Sequence, residues 1–166
     1  MTTSSPALLE QRVQALAALY RQVQRERMQG VPLLNPALRV QALGFEWPAA
    51  QAGQDAATLI AEGVLITPWF MSLVRLPAQV QPHRDRVGCS QTHAFGCESF
   101  DFIGAHDPAL GFHETCALFS PMQEFDSQER ACETARETLA LLRPPARAAV
   151  PARRAFFLAQ GRARQP

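Results

Sequence analysis

Residues 63–77 read GVLITPWFMSLVRLP, and the fold turns on how this stretch is read. It is rich in branched and aromatic residues and bounded by Gly63 and Pro77, the composition of a strand. Thr67-Pro68 bends or interrupts it, because proline cannot donate to a sheet ladder. A strand with one wet face alternates apolar and polar residues. Here Trp69, Phe70, Met71, Leu73 and Val74 show no such alternation, so large apolar groups point to both faces. Two readings follow. Either both faces are buried, one under helices and one under the chain's tail, or one face is a recognition strip for an apolar peptide. Trp and Met suit the second role, since Trp is large and rigid and Met adapts to varied partners.

Working outward, ALRVQALGFEW (37–47) has strand character, and PAAQAGQDAATLIAE (48–62) reads as a weak loop. GCESFDFIGA (96–105) and GFHETCALF (111–119) form a hairpin whose turn is marked by Asp107-Pro108. Residues 78–95 are polar and irregular, with no assigned element. A first helix starts at Ser5 and Pro6, buries Leu9, Val13, Leu16, Tyr20 and Val23 along one side, and stops before Gly30 and Pro32. A second begins at Asp126, with Glu129 completing a capping box. It carries the stripe Cys132, Ala135, Leu139 and Leu142 and ends at Pro144-Pro145. Helix, strands, helix predicts an α+β domain: an antiparallel sheet of four to five strands with the N-terminal and C-terminal long helices on one face. The expected division is one domain over 1–149 and a basic C-terminal tail over 150–166.

The net charge of +1 conceals an asymmetry. Every basic residue is arginine, and six of the 16 lie in 143–166 with no acid among them. The remainder, 1–142, holds all 15 acids and a net of −5. An acidic body argues against a nucleic-acid-binding protein and leaves room for a basic peptide ligand. No apolar run is long enough to span a membrane and the N-terminus lacks the marks of a secretory signal, so a cytoplasmic location is expected. Motifs for nucleotide, hydrolase or zinc-protease chemistry are absent, and neither an enzyme nor a cofactor is expected. One alternative is a small metal-handling protein using Cys89, His93 and Cys97, with His83, His106, His113 and Cys116 nearby in sequence. Thiolate and imidazole suit zinc, although the spacing matches no standard knuckle.

Two segments remain. CALFSPMQEFD (116–126) places Phe119, Pro121 and Met122 at a strand end, with Glu114, Glu124 and Asp126 close in sequence. RRAFFL (153–158) has the form of a twin-arginine export motif but stands far from the N-terminus where such motifs act.

The block Gly63, Ile66, Thr67, Pro68 and Trp69, then Ser120-Pro121 after a strand, the following capped helix and the closing RRAFFL resemble the HybE/HupJ type of nickel–iron hydrogenase assembly chaperone, in the same order over roughly residues 30–160. The resemblance implies a small non-enzymatic α+β accessory protein. Its partners would be the hydrogenase small-subunit precursor with its twin-arginine signal peptide and other hydrogenase accessory proteins. Family members occur beside or fused to a rubredoxin. This chain has no paired C-x-x-C, so no iron centre is implied, and residues 49–61 and 83–97 do not match. An export signal is basic at its start and apolar in its middle. The expected peptide-binding residues are therefore Trp69, Phe70, Met71, Phe119 and Met122 for the apolar part, and Glu114, Glu124 and Asp126 for the arginines. Arg153, Arg154, Phe156 and Phe157 would then mimic the client signal at the same site, the alternatives being an edge strand or a disordered basic tail.

Overall fold

The computed structural model describes residues 6–145. Helix α1 (Pro6–Arg27) is followed by strands β1 (Gln41–Glu46), β2 (Ile60–Ile66), β3 (Met71–Pro77), β4 (Ser90–Phe95), β5 (Glu98–Asp107) and β6 (Gly111–Phe119), then helix α2 (Gln128–Leu142). Short 3-10 turns occupy Ala49–Gln51 and Arg84–Arg86. All six strands join one antiparallel sheet in the order β1-β2-β3-β6-β5-β4.

The 63–77 stretch is two strands folded back on each other at Thr67–Phe70, with Ile66 opposite Met71 and Val64 opposite Leu73. Side chains alternate across the sheet, so the hairpin has two apolar faces. Val64, Ile66, Met71 and Leu73 enter a core with Ala131, Cys132, Ala135, Leu139 and Leu142 of α2. Ala61, Leu65, Val74 and Leu76 enter a second core with Leu16 and Ala17 of α1. Each large side chain so buried stabilises the fold by about 1.5–3 kcal/mol. The two helices therefore lie on opposite faces of the sheet, not on one face as the sequence predicts. A central hairpin that is apolar on both sides requires cover on both.

The sheet has six strands where four or five were expected. The extra one is β4, whose Ser90, Gln91 and Thr92 are exposed. It is a strand because it pairs with β5 from Ser90 opposite Ile103 to Phe95 opposite Glu98. An edge strand with polar side chains carries no apolar alternation for a sequence reading to detect. The cap of α2 also shifts by one residue: Ser127 Oγ accepts from the Arg130 amide at 3.2 Å.

Two interior positions set the register of the packing. Arg12, on the buried side of α1, donates from Nε to Pro77 O at 2.9 Å and from Nη2 to Leu110 O at 2.7 Å, tying the helix to two strand ends. Gly63 lies beneath Phe45 of the neighbouring strand, and a Cβ there would stand 2.8 Å from the Phe45 Cα and collide with its ring. Gly63→Val should therefore lower the unfolding free energy by about 1–3 kcal/mol through overpacking. Urea denaturation checks this, and an unchanged midpoint would show that β1 yields freely.

Candidate functional site

At one end of the sheet the β2–β3 connection is organised by Thr67, which is fully buried. Its amide donates to Phe70 O at 2.8 Å, and its hydroxyl oxygen accepts from the Trp69 and Phe70 amides at 3.2 and 2.9 Å. Met71 turns wholly inside, whereas Trp69 and Phe70 remain half-buried. The Trp69 and Phe70 rings lie 5.6 Å apart, and Phe70 meets Tyr20 of α1 at 5.8 Å. Tyr20 in turn reaches His113 Nε2 at 3.1 Å.

The second expected segment arrives at the same place. Met71 pairs with Phe119 in the β3–β6 ladder, and Phe119 packs edge-on against Phe125 at 5.2 Å. The cis-linked Ser120-Pro121 is exposed, while Met122 is fully buried. Asn35, missed by the sequence reading, joins three loops. Its amide donates to Pro68 O at 2.9 Å, and its Nδ2 donates to Met122 O at 2.9 Å and Phe125 O at 2.7 Å. Gln123 Nε2 adds a bond to Leu33 O at 2.9 Å, and Leu33 is 54% exposed. Nothing in an -LLNPALR- run marks its asparagine as a three-way link, because the partners come from distant segments.

Asn35 and Gln123 thus tie together the loops that carry Leu33, Trp69, Phe119 and Pro121, a loop rim in which Glu124 and Asp126 flank Phe125 along the chain. Both acids are exposed, and neither has an ion-pair partner among the described residues. Met71 and Met122 support this rim from inside and present no surface of their own.

Glu114 lies elsewhere. It faces Arg75 in the β3–β6 ladder and belongs to a buried ionic row on the α2 side of the sheet. Arg75 stands 3.8 Å from Glu62 and 3.7 Å from Glu114, Arg86 is 3.8 Å from Glu114, and His93 Nε2 is 3.0 Å from it. Arg143, just past α2, pairs with Glu46 at 3.0 Å and donates to Glu62 O and Gly44 O at 2.7 Å. Burial raises the Glu62 pKa, opposed by Arg75 and Arg143, and burial lowers that of Arg75. A cleft of about 470 Å³ opens over Glu46, Glu62, Arg75, His93 and Arg143. In the cleft Glu46 and Glu62 face Arg143 and Arg75, and Glu114 next in the row faces Arg75 and Arg86, so the charges compensate one another and leave no acidic face.

The metal-handling alternative is not assembled. Cys89 and Cys97 flank opposite ends of β4, their thiols directed to Asp85 O at 3.7 Å and Leu141 O at 3.5 Å, and His93 between them is held by Glu114. Among the described residues no group of three or more His, Cys, Asp and Glu side chains is gathered for a metal ion. His83 packs on the Phe112 ring, and the Cys116 thiol is pushed up by burial and then by Asp101. Arg153, Arg154, Phe156 and Phe157 lie outside the described residues. No helix among the described residues is long and apolar enough to cross a membrane.

Comparison with known proteins gives a consistent picture. The family model described as "[NiFe]-hydrogenase assembly, chaperone, HybE" matches residues 11–159. Protein HoxT of Cupriavidus necator is 42% identical over 147 residues, covering 84% of this chain and 80% of its own. The hydrogenase expression/formation protein HupJ of Bradyrhizobium diazoefficiens is 33% identical over 131 residues, covering 79% and 71%. The solution structure of HybE from Escherichia coli superposes with a TM-score of 0.56 at 20% identity, covering 85% of this chain and 78% of that one, which establishes a shared fold.

Two measurements test the rim's construction. Asn35→Ala removes three side-chain bonds, strands the Phe125 carbonyl, leaves the Met122 carbonyl with only the Phe125 amide, and should cost about 1–3 kcal/mol. Hydrogen exchange should quicken first in 67–70 and 119–126, and uniform loss across the sheet would contradict the local role. The second concerns His113. Its only partner at Nδ1 is the Gly111 carbonyl, 3.2 Å away, so Nδ1 carries the proton and Nε2 accepts from Tyr20. Burial lowers its pKa from 6.5. Below that value the unfolded chain binds more protons than the folded one, so stability is complete above it and declines as pH falls toward the folded value. The expected slope is at most about 1.4 kcal/mol per pH unit, and His113→Gln should remove that share of the dependence between pH 7 and 5.

Proposed function

The chain belongs to the HybE family of [NiFe]-hydrogenase assembly chaperones, and we propose that it serves assembly without catalysis by holding the hydrogenase small-subunit precursor through its twin-arginine signal peptide. The observation that carries this reading is the rim. Half-buried Trp69 and Phe119 and exposed Leu33 lie on loops joined through Asn35 and Gln123, and the same loops carry Glu124 and Asp126, two exposed carboxylates with no ion-pair partner among the described residues. A twin-arginine leader presents the complementary sequence, a pair of guanidinium groups followed by an apolar run. The carboxylates would speed encounter and set the direction of the peptide. Burial of apolar surface against the indole and the Phe119 ring would supply most of the affinity, as aromatic anchors do at other interfaces.

Asn35 and Thr67 bear on how well such a rim could bind. Both are nine-tenths or more buried and fix the loops through hydrogen bonds. The loops are already ordered before a peptide arrives, which reduces the conformational cost of binding.

The test is calorimetric titration of the full chain with a signal peptide from a hydrogenase small subunit. Glu124→Lys with Asp126→Lys should weaken binding by about tenfold or more at low salt, with an unchanged melting temperature because both side chains are exposed and unpaired. Trp69→Ala should weaken binding at all salt concentrations. Equal affinity in the charge-reversed chain and the parent would overturn the reading.

A further inference from the structure

The cleft of about 470 Å³ over the ionic row has Glu62 and Arg75 in its lining, and no described residue takes up their hydrogen-bonding capacity. The Glu62 side chain is only 8% exposed, yet its carboxylate accepts no hydrogen bond from a described residue; its ion-pair partner, Arg75 Nη1, stands 3.8 Å away. Arg75 is placed in the same way. Its side chain is 11% exposed, its Nε is buried without a partner, and Glu114 stands 3.7 Å from it. These separations exceed the hydrogen-bond range of about 2.7–3.2 Å. Buried polar groups left so are costly, and native interiors hold few of them.

The groups around this pair are engaged elsewhere. Gln51 bonds the Ile60 backbone through both ends of its amide, at 2.8 and 3.1 Å, which pins the Ala49–Gln51 turn as one wall. Arg143 is spent on Glu46 and on the carbonyls of Gly44 and Glu62, and Glu114 is met by His93. What faces the cleft is therefore a carboxylate that can accept beside a guanidinium that can donate. Charge then decides the class of ligand. A cation at Glu62 meets Arg75 and Arg143, and an anion at Arg75 meets Glu62 and Glu46, where little water screens the repulsion. An uncharged group escapes both penalties. A primary carboxamide carries N–H donors and a carbonyl acceptor on one planar unit. It gives each side chain its own atom, whereas a hydroxyl must serve both with a single oxygen.

We propose that this cleft binds a primary carboxamide, its N–H donating to Glu62 and its carbonyl accepting from Arg75. The group is that of a glutamine or asparagine side chain, or of a small free amide. It joins the ionic row without displacing a partner, so the alignment the row gives the strands is kept. The small residues Ala49, Ala50 and Gly96 at the walls leave room for it. The site is distinct from the Trp69 rim: Arg75 lies four residues along β3 from Met71 at the turn, about 13 Å away. The inference stands independently of the client reading.

Titration of the full chain with N-acetylglutamine methylamide, followed by backbone amide NMR shifts, tests it. Shifts should move in 46–51 and 93–96 and stay in place in 67–70 and 119–126. The isosteric capped glutamate should bind about tenfold more weakly or worse near pH 7. Glu62→Gln removes one negative charge from the cleft and should reverse that order. Because this change touches a buried ion pair, Ala50→Trp provides a second arm. Ala50 is exposed at the wall, so the melting temperature should hold while affinity falls about tenfold or more. Acetamide separates the two sources of the amide. Shifts in the same residues would show that the amide alone suffices, and a response to the capped glutamine alone would show that it is recognised within a peptide; both support the site. Equal binding of the glutamine and glutamate probes would overturn the proposal. So would shifts absent from 46–51 and 93–96, an unchanged order in Glu62→Gln, or full affinity in Ala50→Trp.

Discussion

The β2–β3 hairpin is apolar on both sides, and this one constraint arranges the rest of the molecule. Val64, Ile66, Met71 and Leu73 on one face, and Leu65, Val74 and Leu76 on the other, cannot all be kept from water by a single layer. Two helices are needed, and they must lie on opposite faces. That requirement places α1 and α2 across the sheet from each other, although they are the first and last elements of the described chain. It also fixes which end is which. The turn at Thr67 lies where α1 finishes and α2 starts, so the loop leaving α1 and the loop entering α2 meet at this turn, joined through Asn35 to Pro68, Met122 and Phe125.

Through this apolar hairpin runs a polar row that does not contribute to the cores. Glu62, Arg75 and Glu114 sit opposite one another on three adjacent strands. Buried ion pairs are weak sources of net stability, because desolvation offsets most of the attraction. The Arg75 Nε has no hydrogen-bond partner, which makes the balance less favourable still. What the row provides is alignment. A one-residue slip of β3 would turn Arg75 to the α1 face and strand both glutamates. Arg12 does the same for the helix, since its two carbonyl partners are offered only where β3 ends and β6 begins.

Much of this was legible in the sequence, and the failures have physical causes. The two helices, the β5–β6 hairpin and the apolar character of 63–77 were readable because periodicity and turn residues are local signals. The missing alternation in 63–77 spoke for burial on both faces, yet the helices were still expected on one side. Nothing local says which face a distant helix will cover. β4 escaped because an exposed edge strand is specified by its neighbour's ladder and not by its own residues. Within the site, the neighbours of Trp69 and Phe119 could be traced in part, since Met71 and Phe119 both belong to strands that were recognised and pair in the ladder. Glu114 was misplaced because distance along the chain was taken for distance in space: five residues before Phe119 on an extended strand is about 17 Å away. Asn35 carried no signal, its importance arising entirely from partners at 68, 122 and 125.

A basic peptide of the kind proposed would meet two different kinds of acid on this molecule. Glu62 and Glu114 are buried and already paired with Arg75, so a guanidinium entering that cleft must displace an existing partner and strand it in low dielectric, at a cost of several kcal/mol. Glu124 and Asp126 are exposed and unpaired among the described residues. A guanidinium reaching them displaces only water, and the gain is correspondingly small, of the order of a surface ion pair at about 0–1 kcal/mol. An assembly chaperone must let its client go, and release is easiest from a surface where charge directs the encounter while modest apolar contact holds it. The compensated row suits a fixed scaffold, and the uncompensated rim suits reversible contact. The molecule keeps the two at different levels, one inside the sheet and the other at its loop end.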